Sequence, residues 1–179
     1  MTSDVRPAAP DLRLRHPVEA DYGPIVSVVD EWWGGRVMHQ LLPRLWFQHF
    51  TGTSWVAETS HGRLSGFLVG FVSPDHPAEA YIHMVAADPS VRLRGVGRTL
   101  YERFIEDVGS RGVRTVTAIT WPGNRVSVGF HTAMGFQPAT GPMSRTIDGM
   151  PAFAGYDYER EDRVVFVRRI QASGYHRPA

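Results

Sequence analysis

The sequence contains no cysteine, which removes disulfide frameworks, thiolate metal ligands and cysteine nucleophiles together. The formal net charge is only +1, so no global field argues for nucleic acid or a membrane surface as a partner. Apolar runs stay well short of a membrane span, and the opening residues lack the hydrophobic core of a signal peptide. Internal repeats and low-complexity blocks are absent. These gaps leave a cytoplasmic protein that needs no metal as the expectation. At 179 residues the chain suits one domain able to bury most of its apolar surface without staples. The expected boundaries are a fraying N-terminus over 1–10, a folded domain over 11–171, and a tail over 172–179.

What is present is concentrated in one glycine-rich turn. Arg92-Leu93-Arg94-Gly95-Val96-Gly97 follows the strand-like stretch Tyr81 to Ala87 and precedes a helix. Two glycines let the backbone approach an anion closely, and the amides that open the helix point toward it. Arg92 and Arg94 add positive charge, and Arg98 follows in the first helical turn. Val96, Leu100, Phe104 and Val108 then recur every four residues, so the helix buries one apolar stripe and leaves its N-terminus for a ligand. The turn is not a Walker loop, because no Gly-Lys-Ser/Thr ending occurs, and it lacks the three spaced glycines of the dinucleotide fingerprint.

A second segment narrows the reading. The run Arg114 to Thr120 is a strand by its β-branched content and alternation. It leads through Trp121-Pro122-Gly123-Asn124 into a short helix that ends at Gly135-Phe136. At about 100° per residue, Asn124, Ser127 and His131 fall within roughly 60° on one helix face. Asn124 also suits the N-cap, with Ser127 in the first turn. A polar stripe beside an anion loop is what an extended phosphorylated cofactor requires.

The coarse organisation is a strand over 12–16, a helix over 21–31, a break at Gly34-Gly35, and a helix over 38–50. The last rests on Leu42, Leu45, Trp46, His49 and Phe50 sharing one face. Strands follow over 54–59, 63–73 and 79–87, then a helix over 96–109, a strand over 113–120 and a helix over 124–134. Further strands are expected near 136–147 and over 163–170, with 157–162 as a solvated hairpin connection. Gly62 marks a hairpin turn and Ser73 to Pro77 another connection. This order predicts a mixed α/β (α+β) sheet.

Here the residues carry a resemblance. Arg92-x-x-Gly95-x-Gly97 resembles the pyrophosphate loop of the GNAT superfamily, the acyl-CoA-dependent N-acyltransferases. Asn124-x-x-Ser127-x-x-Phe130-His131-x-x-x-Gly135-Phe136 is similar to that family's second cofactor segment. Leu12 to Asp21 resembles its first strand and turn, and Arg163 to Arg169 its last strand. The resemblance implies a single domain with a mostly antiparallel central sheet, splayed at one parallel strand pair and flanked by about four helices. It implies acetyl-CoA as co-substrate, held by Arg92, Leu93, Arg94, Gly95, Val96, Gly97, Arg98, Asn124, Ser127 and His131. Exposed amides near Val85 and Ala87 would pair with the pantetheine and thioester, in the cleft between the strands at 79–87 and 113–120. A homodimer is common among such relatives.

Transfer of an acyl group from a thioester to an amine needs a held cofactor, a deprotonated amine, a donor for the developing oxyanion, and an acid for the thiolate. The period-2 rule puts Glu79, Tyr81, His83, Val85 and Ala87 on one strand face. In the arylalkylamine acetyltransferase branch the positions matching Tyr81 and His83 are both histidines. Here His83 is the favoured base, directly or through water, because imidazole titrates near physiological pH. Glu79 is the runner-up. His131 stands where many members carry the tyrosine that protonates the thiolate, although phosphinothricin acetyltransferases also have histidine there. It serves either as acid or sulfur contact, or as a positioning residue, and Tyr81 is the alternative group for the sulfur. On the acceptor side Glu31, Trp32 and Trp33 precede the Gly34-Gly35 break, and form either an aromatic lid or a cover for the sheet end. The expected function is transfer of an acetyl or other short acyl group to a primary amine of a small molecule, by direct attack. The alternatives are a peptide or protein amine as acceptor, and an acyl-CoA-binding sensor without turnover.

Overall fold

The computed structural model describes residues 12–91 and 95–170. The expected frayed ends and Arg92, Leu93 and Arg94 lie outside the described residues. The strands are β1 (Leu12–Arg15), β2 (Trp55–Thr59), β3 (Leu64–Val72), β4 (Glu79–Ala87), β5 (Thr115–Thr120), β6 (Gln137–Pro138), β7 (Ser144–Ile147), β8 (Met150–Phe153) and β9 (Val164–Arg169). The helices are α1 (Tyr22–Trp32), α2 (Trp46–His49), α3 (Val96–Ser110) and α4 (Arg125–Ala133). Seven strands form a sheet in the order β1-β2-β3-β4-β5-β9-β6, and β7 with β8 forms a separate hairpin. Among the registered pairs of described residues, only β4 with β5 is parallel.

Two compact units divide the chain. The first takes the described residues up to Gly70 together with Met84–Phe104. β1 pairs with β2, and β2 with β3, through the turn at Gly62, whose φ of +77° suits glycine. Ile25, Val29 and Trp32 recur at i, i+4 and i+7 on α1 and bury against Phe67, Val69, Met84 and Ala86. Arg15 ties β1 to the start of α1. Its guanidinium grips both Asp21 carboxylate oxygens at 2.7 Å and also bonds Glu58. β3 also brings α3 close: a Cβ at Gly66 would stand 2.8 Å from Val96 Cγ1, 3.0 Å from the Ala86 carbonyl and 3.2 Å from Leu100 Cδ1.

The helix expected over 38–50 does not form. A single 3-10 turn spans His39–Leu41, Leu42 is non-helical (φ −119°, ψ 62°), and α2 covers only Trp46–His49. Pro43 is the cause, since it supplies no N–H and pushes the preceding residue out of the helical region. Leu42 and Phe47 still reach the core, whereas Leu45 is exposed.

The second unit takes Phe71–His83 and the described residues from Ile105 onward. β4 pairs with β5 from Glu79↔Thr115 to Ile82↔Ala118, and the registered ladder ends there although β4 runs on to Ala87. A parallel pair needs a long crossover, which here contains α3. β5 pairs along its whole length with β9, and β6 pairs with β9 at the sheet edge, where Pro138 is tolerated. The strands expected near 136–147 therefore resolve into β6 and β7. The tip of the β7–β8 hairpin is Asp148-Gly149, both with positive φ (50° and 79°), the two-residue turn that fits the twist of paired strands.

Candidate functional site

β4 alternates as its sequence predicts. Ala80, Ile82, Met84 and Ala86 are buried, while Tyr81, His83, Val85 and Ala87 are half-buried and Glu79 is exposed. One face therefore serves packing and the other is available for chemistry. On the available face the Tyr81 and His83 rings lie 6.4 Å apart, and Phe71 packs 5.8 Å from Tyr81. Burial pushes the Tyr81 phenol well above its ordinary pKa, with the acids Tyr156 and Asp157 adding to the shift and Arg163 opposing it. Tyr81 is thus a neutral hydroxyl across the physiological range.

That shift points to a neighbourhood around the expected solvated connection over 157–162. Arg163 Nε bonds Asp157 at 2.8 Å and its Nη2 bonds Glu161 at 2.7 Å. The Tyr156 amide bonds the Glu161 carbonyl at 3.0 Å, closing the turn, and Tyr156 packs on Phe153. Tyr156, Asp157 and Arg163 are thereby held in one turn whose charges act on Tyr81. No local pattern signals this, because more than seventy positions separate the partners in sequence.

α4 orders the second set of candidates. Asn124 is its N-cap, accepting the Ser127 amide at 3.2 Å, and its amide group reaches Thr120 on β5 at 3.4 Å. His131 is 5% exposed and stacks on Phe166 at 4.8 Å with only 7° between the planes, while Phe136 meets it edge-on. Its Nδ1 lies 2.8 Å from the Ser127 carbonyl and 3.2 Å from the Ser127 hydroxyl. A carbonyl only accepts, so Nδ1 carries the proton. Burial lowers the pKa, the Ser127 bond opposing, so the imidazole is neutral at neutral pH. In that state Nε2 carries a lone pair and no proton. This geometry suits positioning or acceptance of a hydrogen bond better than donation of a proton to a thiolate.

In the first unit the end of β4 is pinned by Asp88. Its carboxylate accepts the Ser90 amide at 2.8 Å and Arg63 at 2.7 Å. Burial pushes its pKa up, but Ser90 and Arg63 outweigh that and hold it below the usual carboxylate value. Beyond this anchor Gly95 adopts φ +86° and its carbonyl accepts the Thr99 amide, opening α3. Among the described residues nothing lies within 4 Å of where a Gly95 Cβ would stand. A left-handed, open glycine at the start of a fifteen-residue helix fits close approach of an anionic group. Arg98 in the first turn is exposed and reaches Glu102 at 3.5 Å.

The acceptor candidates separate. Trp32 is buried and stacked with Phe67, so its ring belongs to the core. Trp33 is partly buried against the same cluster, and Glu31 is exposed. Asp30 accepts the Met38 and His39 amides at 2.7 and 2.8 Å and pairs with His39 Nδ1 at 2.7 Å. These bonds close the Gly34-Gly35 loop and occupy both carboxylate oxygens.

The model of the acetyltransferase (GNAT) family matches residues 24–136. The chain belongs to the GNAT acetyltransferase family. It is 33% identical over 90 residues to an L-2,4-diaminobutyric acid acetyltransferase of Nocardia farcinica, covering 50% of this chain and 46% of that protein. It is 30% identical over 82 residues to the ribosomal protein bS18 alanine N-acetyltransferase of Escherichia coli, covering 46% and 53%. The chain thus spans about half the length of these relatives. The crystal structure of Ard1 from Thermoplasma volcanium superposes with a TM-score of 0.72 over 89% of this chain and 98% of that one, at 18% identity, a likeness of fold. The parallel β4–β5 pair within a mostly antiparallel sheet is this GNAT fold. No helix among the described residues is long and apolar enough to cross a membrane.

Proposed function

We propose that this GNAT protein transfers an acetyl group from acetyl-CoA to the primary amine of a small molecule, by direct attack in a ternary complex. The observation that carries the reading is the available face of β4, where an imidazole and a neutral phenol stand side by side at His83 and Tyr81. His83 takes the proton of the incoming ammonium, with Glu79 as the alternative base. Tyr81 donates a hydrogen bond to the departing sulfur. Its raised pKa makes it a weaker acid than a thiol, so it stabilises the thiolate without surrendering its own proton. His131 orients the thioester end by accepting at Nε2. Gly95, Val96, Gly97 and Arg98, with Arg92, Leu93 and Arg94, hold the pyrophosphate. Asn124, Ser127 and the main chain at Val85 and Ala87 hold the pantetheine arm.

The preference for a small amine rests on the aromatic rings of Phe71 and Tyr81 at this face and on the partial similarity to diaminobutyrate acetyltransferases. Glu31 and Trp33 are the acceptor candidates of the first unit. The similarity to an enzyme acting on a ribosomal protein alanine favours a protein N-terminus as the second reading.

Thiol release from acetyl-CoA against diamino acids, arylalkylamines, amino acids and N-terminal peptides tests this. Turnover with a small amine is expected, and His83→Gln should lower kcat/KM about 100-fold or more. Turnover with peptides alone would transfer the assignment to protein amines. Silence across the panel, with acetyl-CoA still raising the melting temperature, would leave a sensor.

A further inference from the structure

A cavity of about 410 Å³ lies against the outer side of α4, lined by Pro122, Arg125, Val128 and the hairpin tip Asp148-Gly149-Met150. None of these residues belongs to the machinery above. Counting about 100° per residue, Arg125, Val128 and Gly129 centre roughly 120° around α4 from the middle of the Asn124, Ser127 and His131 stripe, with Val128 nearest to it. The cavity therefore has its own chemistry to account for.

That chemistry is dipolar. Arg125 contributes a guanidinium and Asp148 a carboxylate to one cavity, and among the described residues neither side chain makes an ion pair or hydrogen bond. Elsewhere opposite charges close on each other directly, as in Arg111 with Asp107 at 3.0 Å or Arg163 with Asp157 at 2.8 Å. Here no such bond forms, and Pro122, Val128 and Met150 give the same cavity an apolar floor. Both charges stand on ordered supports. Arg125 sits in the first turn of a helix capped by Asn124, and Asp148 occupies a two-residue turn locked by the Ile147↔Met150 pair.

We propose that this cavity binds a small zwitterion, an amino carboxylate whose ammonium meets Asp148 and whose carboxylate meets Arg125, with its methylene chain on the apolar floor. The site is separate from the donor and acceptor groups on β4 and does not depend on turnover. Exposed ion pairs are individually weak, so affinity in the millimolar range is expected.

The test is amide NMR of the full chain without acetyl-CoA. It is titrated with glycine, β-alanine, 4-aminobutyrate and 6-aminohexanoate, and with propylamine and propionate as singly charged controls. One length of the series should shift the resonances of residues 125–129 and 148–150 in a saturable way, with both controls at least about fivefold weaker. Asp148→Asn keeps a residue suited to the turn, and Arg125→Gln keeps a good helix former. Each should weaken binding about fivefold while leaving the melting temperature unchanged. Absence of any saturable shift, equal binding of either control, or binding indifferent to both substitutions would overturn the proposal. Because no acetyl-CoA is present, loss of this site and loss of the transferase reading are distinguishable.

Discussion

At the scale of single residues the histidines divide by environment. His83 stands on a half-buried strand face beside a phenol, whereas His131 is sealed among Phe130, Phe136 and Phe166 with Nδ1 committed to Ser127. The difference has a thermodynamic signature. His131 has a folded pKa below its unfolded value near 6.5, so the unfolded chain binds more protons at mildly acidic pH. Its stabilising contribution is fully present above about pH 6.5 and is lost as the pH falls through the folded pKa, at up to about 1.4 kcal/mol per pH unit. Melting curves of the wild type and His131→Gln from pH 8 to about 5 should therefore converge on acidification. A constant gap would mean that the imidazole is not held neutral.

At the scale of elements, α3 and α4 do most of the positioning, and both were readable from periodicity. Val96, Leu100, Phe104 and Val108 are all buried, and Asn124 caps α4 as its side chain predicts. Such features are local, since a stripe or a cap is set by residues within a few positions of each other. Pro43 and Asp148-Gly149 are local as well; the apolar face over 42–50 masked the first, and the second marks a hairpin that composition alone did not separate from the strand before it. The electrostatic influence of Tyr156, Asp157 and Arg163 on Tyr81 is another matter, because it depends on tertiary folding and on an acidic run that reads as solvated. Gly66 belongs with these long-range features. A Cβ there would meet the stiff Val96 side chain at 2.8 Å and the Ala86 carbonyl at 3.0 Å. Gly66→Ala should cost about 1–3 kcal/mol in denaturant unfolding and push the α3 N-terminus outward. Its KM for acetyl-CoA should rise while kcat with saturating cofactor changes little. An unaltered KM would separate the α3 terminus from cofactor binding.

For the molecule as a whole, near neutrality at pH 7 conceals a large acid-induced charge. Protonating the 18 carboxylates leaves 19 arginines and 8 histidines unopposed, so self-repulsion grows steeply below pH 4. Repulsion between exposed charges is screened by salt, with a Debye length of about 3 Å at 1 M, whereas partly buried pairs are screened much less. Asp88 is such a partly buried group, held ionised by Ser90 and Arg63. Its folded pKa lies below 3.8, so its contribution is present above that value and is lost as the pH falls through the folded pKa. Asp88→Asn should lower stability at pH 7 by about 1–2 kcal/mol, through a weakened tie between Arg63 and the end of β4. The gap to the wild type should narrow as the pH falls below 3.8 at both low and high salt, while both proteins regain part of their lost stability in 1 M salt. Thermal melts of the two proteins over that grid separate the contributions. A gap that does not narrow on acidification would show that Asp88 acts through its shape and not its charge. A gap abolished by salt at pH 7 would show that the pair behaves as an exposed one.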